Sequence, residues 1–199
     1  MKELILGGVR SGKSSLAEKL ALESGLAVTY VATARAGDEE MRARIRHHRE
    51  RRPDAWELVE VGHDLAAVLA ARAAADRCLL VDCLTLWLTG LLGAEAADRR
   101  EGEFGLDTGA FNELEFGAFP RPVFNPEREI AALLKVLPDL PGRIILVSNE
   151  TGLGVVPMGE LSRRFCDEAG RLHQRLAVIC DRVVLTVAGL PQVLKGEAI

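Results

Sequence analysis

Hydrophobic and polar positions along this chain follow two alternating rhythms. Short apolar runs, rich in Val, Ile and Leu, are Leu4–Leu6, Ala27–Ala32, Cys78–Val81, Arg143–Ser148 and Arg182–Ala188. Unbroken apolar character over such a length marks a strand covered on both faces, as in a parallel sheet. Between the runs lie segments with apolar residues at three- and four-residue spacing, the period of a helix with one face on a core. These predict helices over residues 15–22, 64–75, 84–92, 127–137 and 160–180. In the last, Leu161, Phe165, Leu172, Leu176 and Ile179 are expected to face inward. Gly25 punctuates the end of the first helix, and Pro126 opens the fourth. A further helix is expected from Glu39 to about Arg52, capped by Asp38 and stopped by Pro53. Trp56–Glu60 alternates as an edge strand, and Gln192–Leu194 reads as a short edge segment. Strands alternating with helices predict a three-layer α/β domain with a mostly parallel sheet and helices on both faces.

One stretch interrupts the rhythm. Gly93–Pro126 has weak periodicity, with glycines and phenylalanines among acids, and is expected to be a loop excursion. The rest of the 199 residues fits a single domain, 1–199.

Composition narrows the class. A net charge of −4 argues against a general nucleic-acid binder. No apolar run reaches membrane-spanning length, and Met1-Lys2-Glu3 leads straight into the first strand, leaving no room for a signal peptide. The four cysteines have no zinc spacing and read as reduced, mostly buried thiols of a cytoplasmic protein.

The candidate chemistry starts between the first strand and the first helix. Gly7-Gly8-Val9-Arg10-Ser11-Gly12-Lys13-Ser14 fits G-x-x-x-x-G-K-[ST], in the strand-to-helix context that makes a phosphate loop credible. Glycines let backbone N–H groups close around phosphate oxygens, and the helix N-terminus favours the same anion. Lys13 is expected to reach the β- and γ-phosphates, and the Ser14 hydroxyl to hold Mg²⁺. Cys78–Asp82, an apolar strand delivering a carboxylate, supplies the second Mg²⁺ ligand, Asp82. The fold expected is therefore a P-loop NTPase. Arg42, Arg44, Arg46, Arg49, Arg51 and Arg52 surround His47 and His48 on the 39–52 helix. Spacing alone leaves two readings: a solvated basic face, or a polyphosphate contact carrying a histidine nucleophile. Ser148-Asn149-Glu150, just past an apolar strand, falls where open α/β sheets bind ligands.

Taken together, the residues resemble one family. The resemblance runs through the phosphate loop, Tyr30-Val31-Ala32-Thr33, Arg44-Ile45-Arg46-His47-His48, Val81-Asp82-Cys83-Leu84-Thr85 and Asn149-Glu150-Thr151-Gly152-Leu153-Gly154-Val155-Val156-Pro157. It continues in Arg164-Phe165, Gly170-Arg171 and Gln174-Arg175-Leu176-Ala177. This is similar to the bifunctional adenosylcobinamide kinase / adenosylcobinamide-phosphate guanylyltransferases of cobalamin biosynthesis. The resemblance implies a RecA-like fold and a homotrimer. It implies phosphorylation of adenosylcobinamide by ATP or GTP, then guanylyl transfer from GTP to adenosylcobinamide phosphate through a histidine, here His47. It also implies nucleotide contacts at Thr33, Ala34, Arg35, His48, Arg49, Glu50, Arg51, Glu60 and Asp82. The sequence departs from the family pattern at Gly90, at His173 (where Asn is expected) and across 93–126. Two competing readings remain: a phosphotransferase on another small alcohol, which needs no covalent nucleotide, and a regulatory GTPase-type module. The second lacks an N-K-x-D base-specificity motif.

Overall fold

The computed structural model describes residues 1–33, 53–103 and 124–199, with side chains up to residue 98 in the middle stretch. The strands are β1 (Lys2–Gly7), β2 (Ala27–Ala32), β3 (Glu57–Glu60), β4 (Arg77–Asp82), β5 (Arg143–Asn149), β6 (Arg182–Val187) and β7 (Leu190–Lys195). The helices are α1 (Lys13–Leu22), α2 (Leu65–Arg72), α3 (Leu84–Glu103), α4 (Pro126–Val136) and α5 (Glu160–Ile179), with a 3₁₀ turn at Leu137–Asp139.

The seven strands of the described residues form one sheet in the order β3-β2-β4-β5-β1-β6-β7. The pairings from β3 through β6 are parallel, and β7 closes one edge antiparallel to β6. Pro191 sits in that edge strand, where a missing N–H costs the ladder nothing. Because the central strands are covered on both sides, alternate residues enter two separate cores. Leu4, Leu6, Leu79, Val81, Ile144 and Leu146 pack under α2, α3, α4 and α5. Ile5, Tyr30, Leu80, Ile145 and Val147 pack against Ala17, Leu20 and Ala21 of α1. Each fully buried leucine or isoleucine contributes about 1.5–3 kcal/mol, so the two layers of helix are held mainly by this alternation. The three-layer, mostly parallel α/β architecture expected from the sequence is the one observed.

Three expectations change. α3 does not stop at Leu92 but runs to Glu103, so the first part of the supposed excursion is helix. Ala94, Glu95, Ala96 and Ala97 are strong helix formers, and their propensity outweighs the single Gly93. Residues 104–123 lie outside the described residues. Leu161 is 57% exposed rather than inward, because the segment leading into α5 is itself exposed and brings no core to its first turn. Helix α2 is shorter than the expected 64–75. The helix expected over 39–52 lies outside the described residues.

The four cysteines are free, and three are buried. Burial pushes the Cys78 thiol up to about 11 and Cys180 to about 12. It raises Cys83 as well, with the Asp82 carboxylate adding to the effect. None of these three is a thiolate near neutrality, so they act as small apolar groups.

Candidate active site

The phosphate loop joins β1 to α1 at the carboxyl edge of the sheet. Gly12, at the start of α1, has φ 94°, a left-handed conformation that glycine takes without strain. A β-carbon there would also stand 3.0 Å from the Cα of Gly189, whose N–H donates to the Ser11 carbonyl at 2.8 Å. The β6–β7 turn thus braces the loop from behind. At Gly7 a β-carbon would meet Ser11 Oγ at 2.4 Å and the Thr186 carbonyl at 2.7 Å. At Gly8 it would meet nothing within 4 Å, so that face of the loop opens outward. Arg10 takes a positive φ of 56°, and Val9 is exposed.

Lys13 is half-buried, and its ammonium donates to the Gly8 carbonyl at 3.1 Å, folding back across the loop. Burial pulls its pKa below the ordinary lysine value, while the Asp82 and Cys83 side chains oppose that pull. Lys13 and Asp82 therefore feel each other across the site. Asp82 ends β4, and its Oδ2 accepts from the Tyr30 hydroxyl at 3.1 Å. Ser14 is half-buried at the start of α1. Among the described residues no group of three or more His, Cys, Asp or Glu could hold a metal. A hydroxyl and one carboxylate, completed by phosphate oxygens and water, are nevertheless what Mg²⁺ takes in nucleotide sites. The left-handed Gly12, the open face at Gly8 and the Ser14/Asp82 donors fit a Mg²⁺–nucleotide.

The other sequence-predicted positions divide. Thr33 is buried, and its hydroxyl donates to the Cys83 carbonyl at 2.7 Å while accepting from the Cys83 N–H at 2.9 Å. That reciprocal pair ties the end of β2 to the turn after Asp82, so the Thr33 side chain holds the site's frame. Replacing Thr33 with valine should cost about 1–3 kcal/mol through the unpaired Cys83 groups, read as a lowered urea midpoint, with weaker nucleotide binding as Asp82 loosens. An unchanged midpoint would contradict this role. Glu60 is exposed at the end of β3. Four strand spacings separate β3 from β1, about 19 Å at 4.8 Å each. Glu60 is thus remote from the phosphate loop. Ala34, Arg35, His47, His48, Arg49, Glu50 and Arg51 lie outside the described residues.

The structure adds a group that the motifs did not assemble. β5 stands between β1 and β4, so Ser148, Asn149 and Glu150 emerge between the phosphate loop and Asp82. The Glu150 N–H donates to the Gly7 carbonyl at 3.1 Å. Buried His173, from α5, places Nε2 2.8 Å from Ser148 Oγ and Nδ1 3.7 Å from the Glu150 carboxylate. Thr85 Oγ1 accepts from the Asn149 N–H at 2.7 Å. Ser11 Oγ, Asn149 Oδ1 and Thr186 Oγ1 are buried atoms without a hydrogen-bond partner among the described residues. Beyond Glu150, Leu153, Val155, Val156 and Met158 are exposed.

A parallel sheet carrying a glycine-rich loop, a half-buried lysine and a strand-end aspartate at one edge defines a phosphate-loop nucleotide-binding protein. The family described as cobinamide kinase / cobinamide phosphate guanyltransferase matches residues 3–194. Over 99% of both chains the sequence is 58% identical to the bifunctional adenosylcobalamin biosynthesis protein CobP of Pseudomonas aeruginosa. It is 36% identical to the bifunctional adenosylcobalamin biosynthesis protein CobU of Salmonella typhimurium, over 96% of this chain and 97% of that one. A solved structure of the RadB recombinase aligns with TM-score 0.45 and 15% identity, covering 92% of this chain and 73% of that one. The chain belongs to the cobinamide kinase / cobinamide phosphate guanyltransferase family.

Proposed function

We propose that this protein phosphorylates adenosylcobinamide with ATP or GTP and then guanylylates the product from GTP, giving adenosylcobinamide-GDP. The observation that carries this reading is a family match over residues 3–194 in a chain whose phosphate loop, Lys13, Ser14 and Asp82 are all in place. In the first reaction the substrate hydroxyl loses its proton, its oxygen attacks the γ-phosphorus, and the nucleoside diphosphate leaves. The loop amides from Gly7 to Ser14 and the Lys13 ammonium stabilise charge on the phosphate oxygens. Ser14 and Asp82 would hold Mg²⁺, which would supply further charge neutralisation there. In the second reaction a ring nitrogen of His47 attacks the α-phosphorus of GTP and pyrophosphate leaves. The cobinamide phosphate oxygen then displaces the histidine, breaking the P–N bond. An uncharged imidazole is a competent nucleophile near neutrality.

Glu60, Asp82, Thr33, Ala34, Arg35, His48, Arg49, Glu50 and Arg51 are assigned to nucleotide contacts on the family resemblance. For Glu60, its distance from β1 favours the nucleoside side over the γ-phosphate. A cytoplasmic homotrimer is part of the same reading, and the exposed apolar residues 153–158 provide surface for subunit contact.

Incubation with Mg²⁺ and GTP labelled at the α-phosphorus tests the proposal. The expected result is acid-labile, alkali-stable label on the denatured protein that disappears in His47→Ala. Intact GTP binding with no label would reduce His47 to a phosphate contact and leave a kinase alone.

A further inference from the structure

We infer that Glu150 is the base that takes the acceptor hydroxyl's proton in the kinase step, and that His173 is its positioning residue. The inference rests on the kinase reading above. Phosphoryl transfer to an alcohol requires a group to accept the hydroxyl proton as the oxygen attacks, and a carboxylate is the usual one. Among the described residues, three carboxylates stand at or one residue past the carboxyl ends of the strands. Asp82 is committed to Mg²⁺ in the mechanism above, and Glu60 stands about 19 Å from the phosphate-loop strand. Glu150 remains, one residue past the end of β5, the strand adjacent to β1, with its own N–H bonded to the Gly7 carbonyl.

Its surroundings suit the task. Buried Glu3 faces Arg143 and Arg182, and Glu57 and Glu95 also face arginines. The basic group beside Glu150 is instead His173, with Nδ1 at 3.7 Å. Burial lowers the pKa of His173, although the Glu150 carboxylate works against that shift. Near neutrality the imidazole is thus largely uncharged, and it orients the carboxylate without neutralising it. The orientation is fixed from several sides. Glu150 Oε1 accepts from the Gly152 N–H at 2.6 Å, and His173 is itself pinned by Ser148 Oγ at 2.8 Å. Ser148 Oγ is 3.4 Å from Thr85 Oγ1, which holds the Asn149 backbone. The Glu150 side chain is 21% exposed, enough for a substrate hydroxyl to reach it. In the step, the hydroxyl O–H breaks, its proton passes to Glu150, the oxygen bonds to the γ-phosphorus, and the bond from that phosphorus to the nucleoside diphosphate breaks.

The test is steady-state kinase turnover by the full chain with Mg²⁺, ATP and adenosylcobinamide, alongside equilibrium GTP binding. Glu150→Gln should lower kcat about 10²- to 10⁴-fold, the span general-base removal produces, with GTP affinity within about twofold. Guanylyl-enzyme formation, which abstracts no acceptor proton, should fall far less than the kinase rate. His173→Ala should lower kinase kcat about tenfold, a loosened-base effect smaller than removal. His173→Asn, whose amide falls at the Nδ1 position facing Glu150, should recover most of it. Glu150→Gln with kcat within threefold of wild type would overturn the assignment, as would equal loss of kcat and GTP binding. Wild-type protein that moves no γ-phosphate to adenosylcobinamide would overturn the kinase reading, and the assignment with it. An Asn variant no better than the Ala variant would remove His173 from the account and leave Glu150 standing.

Discussion

Lys13→Ala should lower kcat/KM for both phosphoryl and guanylyl transfer by about 10²- to 10³-fold, the loss typical for one preorganised charge at a developing anion. Both reactions place negative charge on oxygens in the same loop, so a single substitution removes stabilisation from each. The position of the ammonium adds a proton-linked signature. In the free protein, burial holds the Lys13 pKa below its ordinary 10.5. Bound phosphates favour the charged form and raise it again, so the complex holds more protons than the free chain in that interval. GTP affinity must then fall as pH rises through the window between the lowered pKa of the free protein and the raised pKa of the complex. Calorimetry at pH 7 and pH 9.5, in buffers of different ionisation enthalpy, should show more proton uptake at the higher pH. The uptake should vanish in Lys13→Ala. Equal proton uptake by wild type and variant would assign the effect to another group.

The second large effect is on stability, at the opposite end of β1. Glu3 is fully buried, accepting from Arg143 Nε at 2.6 Å and from Arg182 Nε at 2.8 Å. Arg143 begins β5 and Arg182 begins β6, the two strands that flank β1. One carboxylate therefore stitches three strands at their amino ends. Glu3→Gln leaves two guanidiniums without their counter-charge, a change that costs about 3–5 kcal/mol when a buried pair is broken. At about 2–4 °C per kcal/mol for a chain of this size, the melting temperature should drop by roughly 6–20 °C. Turnover at 20 °C should stay within twofold of wild type, because the pair lies a strand's length from the phosphate loop. A melting temperature within 2 °C of wild type would show that water or repacking replaces the ion pair.

Particular residues show how far the sequence could be read. The phosphate loop is legible because loops of this kind bind phosphate through consecutive backbone amides, so the pattern is written in contiguous residues. Asp82 was legible for a related reason: an apolar strand ending in a carboxylate is one segment. The alternation of apolar runs and helical spacings predicted the layered sheet, and the strands fell where expected. From the sequence alone α3 ends at Leu92, because helical periodicity weakens from Gly93 onward, while the alanines that follow carry the helix to Glu103. The family resemblance places Thr33 at the nucleotide, and the structure adds that its hydroxyl bonds the Cys83 backbone. His173 read only as a departure from the family pattern, since nothing in an isolated helix shows what its inward face meets.

What the sequence determined by itself is therefore what local physics determines: element type from periodicity, and a phosphate site from a strand, a glycine-rich turn and a helix in succession. What only the tertiary structure decided is adjacency. The strand order inserts β5 between β1 and β4, although β5 follows both in the chain. That insertion carries Glu150 to the phosphate loop, and α5 then brings His173 against it. Strand order is set by how the two cores close over the whole sheet, a global balance of burial that no local run of residues records.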